Sequence, residues 1–153
     1  MKKLIISMLL CLGAGTIGSV FTTPAISGWY ANLLKPSFNP PNWLFGPVWT
    51  GLYILMGVSL FLIWRKDLKK KNVRFAFWLF IMHLALNTLW SIIFFGAKNI
   101  QLAFFDIFIL WLMIAALIYC FYEIDKKAAW LLVPYFFWVS FATLLNYSIW
   151  ILN

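Results

Sequence analysis

Long apolar runs dominate this chain and constrain its fold more than any other feature. Five of them, at roughly residues 4–23, 44–64, 74–95, 101–122 and 128–151, are each near the ~20 residues that an α-helix needs to cross a bilayer. A soluble domain could not cover so much apolar surface, because 65% of its 153 residues are hydrophobic and only 10% are charged. The sequence therefore predicts an all-α integral membrane protein, a five-transmembrane-helix bundle forming one domain over residues 1–153.

Lysine and arginine are distributed unevenly between the two sides of this predicted bundle. One side has only Lys35 and Lys98, and the other has the remaining ten basic residues: Lys2, Lys3, Arg65, Lys66, Lys69, Lys70, Lys71, Arg74, Lys126 and Lys127. By the positive-inside rule the N-terminus is cytoplasmic and the C-terminus lies outside. With the absence of a basic tail after Tyr147, this bias favours a multi-pass protein of a bacterial plasma membrane. Nucleic-acid binding by 65–74 is the disfavoured alternative, because the basic clusters fall between apolar runs.

The first loop of the predicted bundle is unusually stiff and aromatic. The stretch "KPSFNPPNWLFGPVW", residues 35–49, contains four prolines and two tryptophans. Proline fixes its φ angle and lacks a backbone donor, so this loop has few conformations to lose. A stiff loop costs less entropy to hold over a ligand than a flexible one. We therefore interpret this segment as a lid that continues into the wall of a pocket.

Polar and aromatic side chains mark the inward faces of four helices. The third helix has a stripe at i, i+4 and i+8, and the fourth has the one acid deep in a span. The full set is Trp49, Tyr53 and Met56; His83, Asn87, Trp90, Ser91 and Phe94; Asp106; and Tyr135, Trp138, Ala142, Leu145, Asn146 and Ile149. Two interpretations stay open for His83, Asn87 and Asp106. They either tie helices together, at about 0.6–2 kcal/mol each, or contact a ligand.

Tryptophan is in large excess, with ten residues in the chain. Those near the ends of the spans, such as Trp64 and Trp130, fit an interfacial belt. Trp49, Trp90 and Trp138 fall on the inward faces, where flat aromatic walls suit a large, flat, mostly apolar ligand. We predict no metal site and no cofactor, and the presence of one histidine and four acids argues against hydrolytic catalysis. Photochemistry with an indole as electron donor stays open.

Three segments of the chain resemble the TspO/translocator protein family. They are "WYANLLKPSFNPPNWLFGPVWTGLY" (29–53), "LALNTLWSIIFFGAKN" (84–99) and "PYFFWVSFATLLNY" (134–147), with Asp106 as a further match. The resemblance implies a five-helix bundle, usually dimeric, that binds porphyrins such as protoporphyrin IX and also isoquinoline and benzodiazepine ligands. It places Trp49, Asn87, Trp90, Trp138, Ala142 and Leu145 in the pocket. It also implies that Pro41 and Trp43 lie in the covering loop.

Three functions are compatible with this resemblance. The first is a membrane receptor or carrier for protoporphyrin IX or a related tetrapyrrole. The second is light- and oxygen-dependent porphyrin degradation, for which the resemblance implicates Trp49 and Trp138. The third is a ligand-responsive regulatory protein. A sterol site of the animal type is disfavoured, because Ile151 stands where that motif has a basic residue.

A homodimer is also expected from the resemblance. The segment "AGTIG", 14–18, spaces two small residues four apart on the first helix. Such spacing allows close helix contact, either with a second copy or within the bundle itself.

Overall fold

Five long helices account for most of the chain. The computed structural model describes residues 1–153 and has these elements: α1 Lys2–Ile26, α2 Asn42–Trp64, α3 Lys71–Ser91, α4 Ile100–Ile124 and α5 Lys126–Leu152. A single 3₁₀ turn, Tyr30–Asn32, interrupts the first loop, and a π-helical turn, Ile92–Gly96, extends α3. All five helices are long and apolar enough to cross a membrane. The predicted all-α fold with five spanning helices is confirmed.

The helices form a closed ring in the order α1, α2, α5, α4, α3. In this ring α1–α2, α3–α4 and α4–α5 are antiparallel neighbours that follow each other in the chain, whereas α2–α5 and α1–α3 join helices that are not consecutive. The main core runs through the middle of this ring, around fully buried Met56, Leu60, Phe80 and Tyr135. Between helices of this kind the contacts come from packing and hydrogen bonds, since lipid is as apolar as the helices themselves.

Side-chain contacts identify which segments meet at each end of the ring. At one end Lys3 Nζ donates to the Trp64 carbonyl over 2.9 Å, and Lys66 Nζ lies 3.1 Å from Asp125 Oδ2. At the other end the Asn153 side chain bonds both the N–H and the carbonyl of Leu34, at 3.0 and 2.9 Å. The ten basic residues therefore share one end of the bundle, and the first loop lies at the other.

Asp125 connects α4 and α5 at the basic end. Its carboxylate caps α5 by accepting from the N–H groups of Lys127 and Ala128, at 3.0 and 3.4 Å. Desolvation alone would raise the pKa of this carboxyl. The bond to Lys66 and the backbone donors outweigh it and hold the pKa below its usual range.

The C-terminal end of α2 at Trp64 agrees with the prediction, and the other helix ends differ from the predicted ones by one to four residues. One difference changes an interpretation. α2 begins at Asn42 directly after Pro41, so Trp43 lies in the first turn of α2 and its placement in the covering loop is wrong. The stretch 35–49 is therefore half loop and half helix.

Glycines on α1 and α2 allow close contact inside the bundle. A Cβ added at Gly57 would lie 2.6 Å from Met8 Sδ and 3.2 Å from Met8 Cα. A Cβ at Gly15 would meet the Tyr53 ring at 2.5 Å, and one at Gly18 would lie 3.1 Å from Ser91 Oγ. The small residues of "AGTIG" thus serve packing within the bundle, and the homodimer stays a prediction.

Candidate ligand-binding site

A cavity of about 740 Å³ lies inside the half of the bundle next to the first loop. Helices α1, α2, α3 and α5 line it, together with Tyr30 from the loop. Its volume is in the range of cofactor and drug-sized sites. The lining is aromatic and apolar, with hydroxyl and amide groups at a few positions.

Three inward-facing tryptophans contribute to the aromatic wall. Trp49 lies on α2 with its ring 5.6 Å from that of Tyr53, and Trp138 lies on α5 at 6.0 Å from Phe45 and 5.7 Å from Phe141. Trp90 of α3 stacks on Phe94 at 5.0 Å. Indoles from three separate helices thus face one space.

Trp90 is held in place by a short chain of hydrogen bonds. Its Nε1 donates to Asn146 Oδ1 over 3.0 Å, and Asn146 Nδ2 donates to the Ile100 carbonyl over 3.0 Å. This chain joins α3, α5 and the start of α4. Trp138 differs, because its Nε1 is buried without a partner in the protein. Because this nitrogen has almost no accessible surface, Trp138 contributes the carbon atoms of its ring, rather than this donor, to the cavity wall.

The floor of the cavity is a buried polar bridge between three helices. The Tyr53 hydroxyl donates to Asn87 Oδ1, and Asn87 Nδ2 lies 2.9 Å from the Tyr135 hydroxyl, to which it donates. The Tyr135 ring also lies 6.3 Å from the Trp49 ring. Asn87 therefore fixes two phenols beneath the indole wall, and it also lines the cavity itself.

A π-helical turn shapes the end of α3 nearest the loop. It spans Ile92–Gly96, and such turns are rare and frequently occur at functional sites. Phe94 within it is buried against Trp29 at 5.6 Å and Tyr30 at 6.2 Å. Burial raises the pKa of Tyr30 to about 12, against the lowering effect of its 2.9 Å bond to Asn39, so its phenol is neutral. Loop and cavity wall are packed together here.

The cavity opens on one side only, between α1 and α2. Every lining residue that is exposed belongs to the second half of α1 or the first half of α2: Thr16, Ser19, Thr23, Asn42, Trp43, Gly46 and Thr50. The lining residues from α3 and α5 are buried or half-buried. The opening therefore faces sideways, along the wall of the bundle, rather than through its end.

Comparison with known proteins agrees with this architecture. Residues 7–151 match the TspO/MBR family. The chain belongs to this family. It is similar to the Tryptophan-rich protein TspO of Chlorobaculum tepidum, with 43% identity covering 100% of this chain and 99% of that protein. It is 40% identical to the human Translocator protein, covering 88% and 80%, and 38% identical to the Tryptophan-rich sensory protein of Cereibacter sphaeroides, covering 89% and 85%.

Most of the residues that the TspO/MBR resemblance and the inward faces indicated come together in the cavity. The lining contains Trp43, Trp49, Tyr53, Asn87, Trp90, Phe94, Trp138, Ala142, Leu145 and Asn146. Pro41, the residue before α2, lies outside this lining. Whether any of them touches a ligand stays a prediction.

His83 and Asp106 also lie outside the lining. His83 is fully buried one turn below Asn87, where its Nδ1 is bonded to the Phe80 carbonyl and its ring lies 5.7 Å from Tyr135. Asp106 is buried on α4, which contributes no lining residue. His83 Nε2 and Asp106 Oδ2 have no partner in the protein. Their placement fits a role in the core better than direct contact with a ligand in the cavity.

The contribution of α1 to the cavity was not predicted from the sequence. This helix lines the open side with hydroxyl groups of Thr16, Ser19, Thr22 and Thr23. The signal was present, because positions 16, 19 and 23 follow i, i+3 and i+7 spacing and share one helix face. A stripe of small hydroxyl residues gives only a weak signal within a span whose main feature is its hydrophobicity.

Proposed function

We propose that this member of the TspO/MBR family is a membrane receptor or carrier for porphyrins such as protoporphyrin IX. The observation that carries the proposal is the meeting of three indoles, Trp49, Trp90 and Trp138, around one cavity. Aromatic faces bind a flat conjugated ring through offset stacking and edge contacts, worth about 0.5–1.5 kcal/mol per pair beyond burial. The same wall suits isoquinoline and benzodiazepine ligands, which are smaller and also flat.

The polar groups at the open side of the cavity suit the carboxylates of a porphyrin. The hydroxyls of Thr16, Ser19 and Thr23 lie at the open side, where the ligand's carboxylates would remain near polar groups. The opening between α1 and α2 faces the bilayer, so an apolar ligand can enter from the lipid.

The test is a titration of protoporphyrin IX into the purified protein in the dark, followed by tryptophan fluorescence. We expect saturable quenching, and Trp138→Ala should weaken binding roughly tenfold, since it removes one aromatic wall of the cavity. Trp130→Ala is the matched control: Trp130 lies on the same helix but is 66% exposed and outside the cavity. Quenching that does not saturate, or equal effects of the two substitutions, would reject the proposal.

A second candidate is degradation of the bound porphyrin by light and dioxygen. It is favoured by the position of Trp49 and Trp138, whose rings face the space that the pigment would occupy. Dioxygen is the oxidant and the excited pigment supplies the energy, so no acid–base pair is needed. Illumination of the complex should bleach the pigment more slowly in Trp138→Phe than in wild type while binding persists. Unchanged bleaching would remove this role.

A third candidate is a regulatory role, which is favoured by the name of the relative from Cereibacter sphaeroides, a sensory protein. Here occupancy of the cavity would alter binding to another protein. A partner that is retained in mild detergent, and whose retention changes on addition of protoporphyrin IX, would support it. If no retained protein responds to the ligand, this candidate fails.

A further inference from the structure

Ten basic side chains converge at the end of the bundle opposite the cavity, and we call this end the basic face. It consists of Lys2, Lys3, Arg65, Lys66, Lys69, Lys70, Lys71, Arg74, Lys126 and Lys127. The contacts of Lys3 with Trp64 and of Lys66 with Asp125 join its three segments. None of these residues lines the cavity, so the basic face is separate from the proposed function.

The protein itself neutralises little of this charge. The acids at this end are Asp67, Glu123 and Asp125. Asp125 is paired with Lys66, and Asp67 accepts from the Lys69 backbone N–H at 3.0 Å. Apart from Lys66 and from Lys3, which is bonded to Trp64, the basic side chains have neither an ion pair nor a hydrogen bond within the protein. Most of the positive charge is thus available to an external anion.

The charge is densest in the segment 65–74, which joins α2 to α3. Arg65, Lys69, Lys70, Lys71 and Arg74 are all exposed there. The first turn of α3 contains no acid and has no side-chain cap. Cations beside the positive end of a helix dipole are unfavourable, so nearby anions would lower the energy of this segment.

Exposed aromatic rings place the basic face at the depth of lipid headgroups. Phe75, Trp78, Tyr122 and Trp130 lie close to it along α3, α4 and α5, and their exposed fractions range from 44% to 66%. Aromatic rings of this kind concentrate at the membrane interface. The unpaired cations just beyond them therefore lie beside phosphate groups, and clusters of four to eight Lys or Arg there attract anionic lipid.

We propose that the basic face is a binding site for anionic phospholipids, with the segment 65–74 as its main contact. The recognised chemistry is a phosphodiester anion on a headgroup with net negative charge. Lysine predominates in the segment, and it binds phosphate as a point charge without demanding one geometry. This binding of lipid by the folded protein is distinct from the effect that the same charges have on the orientation in which the chain inserts into the membrane.

The experiment measures lipid binding by native mass spectrometry, with delipidated protein in a neutral detergent. Phosphatidylglycerol and phosphatidylcholine of identical acyl chains are the probes. The charge-removing variant carries Lys69→Gln, Lys70→Gln, Lys71→Gln and Arg74→Gln. The matched control keeps the charge at the same positions, with Lys69→Arg, Lys70→Arg, Lys71→Arg and Arg74→Lys. The six other basic residues of the face preserve the orientation bias in both.

Wild type should bind phosphatidylglycerol more tightly than phosphatidylcholine, and about 0.5 M NaCl should largely remove the preference. Each charge near the surface is worth roughly a fivefold change in affinity, so the charge-removing variant, which loses four charges, should bind on the order of 600-fold more weakly. The charge-keeping variant should bind as wild type does. Circular dichroism and gel filtration check that the variants fold. If the fourfold variant does not fold, the single substitutions Lys70→Gln and Lys71→Gln at exposed positions replace it, and each should reduce phosphatidylglycerol affinity roughly fivefold.

Several outcomes would overturn the proposal. Equal affinity for the two lipids, or equal loss in both variants, would show that charge on this segment does not recognise the headgroup. Competition by free inorganic phosphate at the same concentration as the lipid would show a phosphate site that does not require a membrane lipid. Tighter binding of a short RNA than of phosphatidylglycerol, at equal phosphate concentration, would assign the face to nucleic acid instead.

Discussion

The contact between α1 and α2 differs sharply between its two halves. In the half next to the basic face, Met8 packs directly against Gly57, and Cys11 and Met56 are fully buried. In the half next to the first loop, the same two helices separate and the cavity opens between them. Tyr53, whose ring lies against Gly15, marks the change from one half to the other.

The difference shows how side-chain size determines helix separation in lipid. Helices in a membrane gain little from burying apolar surface, so small residues that let backbones approach decide where contact is close. Gly57 provides that approach in the closed half. In the open half α2 presents the large side chains of Trp43, Trp49 and Tyr53, which line the cavity. The predictions below alter one half or the other, in order of decreasing effect.

The largest effect is expected from closing the space at Gly57. Gly57→Leu should lower the free energy of unfolding by about 3 kcal/mol, because even its Cβ would crowd the Met8 backbone. Thermal unfolding in detergent measures this. Gly51→Leu on the same helix is the control, since no atom lies within 4 Å of a Cβ there, and it should be neutral or stabilising. Equal losses in both would contradict the close packing described.

Removal of the polar floor that separates the two halves should lower the free energy of unfolding by nearly as much. Asn87→Leu leaves the Tyr53 and Tyr135 hydroxyls without their bridge and should cost about 2 kcal/mol of unfolding free energy. Asn72→Leu makes the same change on α3 at an exposed position and should have little effect. Denaturant titration followed by circular dichroism compares the two. Stability unchanged by Asn87→Leu would mean that the bridge contributes nothing net.

Filling the open half should affect ligand binding rather than stability. Ala142→Phe places a ring in the cavity beside Trp138 and should reduce protoporphyrin IX affinity roughly tenfold, or about 1.4 kcal/mol. Leu144→Phe, on an exposed face of the same helix, should leave affinity unchanged. Fluorescence quenching titrations measure both. Undiminished affinity in Ala142→Phe would place the ligand elsewhere.

The smallest effect concerns acid stability at the closed end. The pKa of Asp125 is lowered in the folded protein, so its contribution is present above the unfolded value near 3.9 and is lost as the pH falls further. Asp125→Asn should cost about 1 kcal/mol at pH 7 and flatten the loss of stability below about pH 4. Glu123→Gln, which removes an exposed acid without an ion pair, should preserve the wild-type pH profile.

The fold could be predicted well because its signals are local. Each apolar run is long enough to require a spanning helix, and an isolated helix already satisfies its own backbone in lipid. The start of α2 was predicted at residue 44, two residues late, because the prolines of this stretch, Pro41 and Pro47, favour a loop. Proline is tolerated near a helix start, however, and the helix begins at Asn42.

The candidate site could be predicted only in part. Trp49, Trp90 and Trp138 were indicated by their inward faces and by the resemblance to a family, and they do share the cavity. His83 follows the same helical spacing as Asn87 and Ser91 but lies one turn too deep, within the core. Spacing defines a helix face, whereas depth along that face depends on where neighbouring helices separate.

The sequence by itself determined the membrane setting, the number of spans and the end at which positive charge accumulates. These properties depend on hydrophobicity and charge summed over segments, and such sums are the same whichever helices are neighbours. Only the tertiary structure decided that α1 and α2 close around Gly57 and open beside Thr16 and Ser19. The physical reason is that a cavity is the space between helices, set by the sizes of side chains that meet from distant parts of the chain.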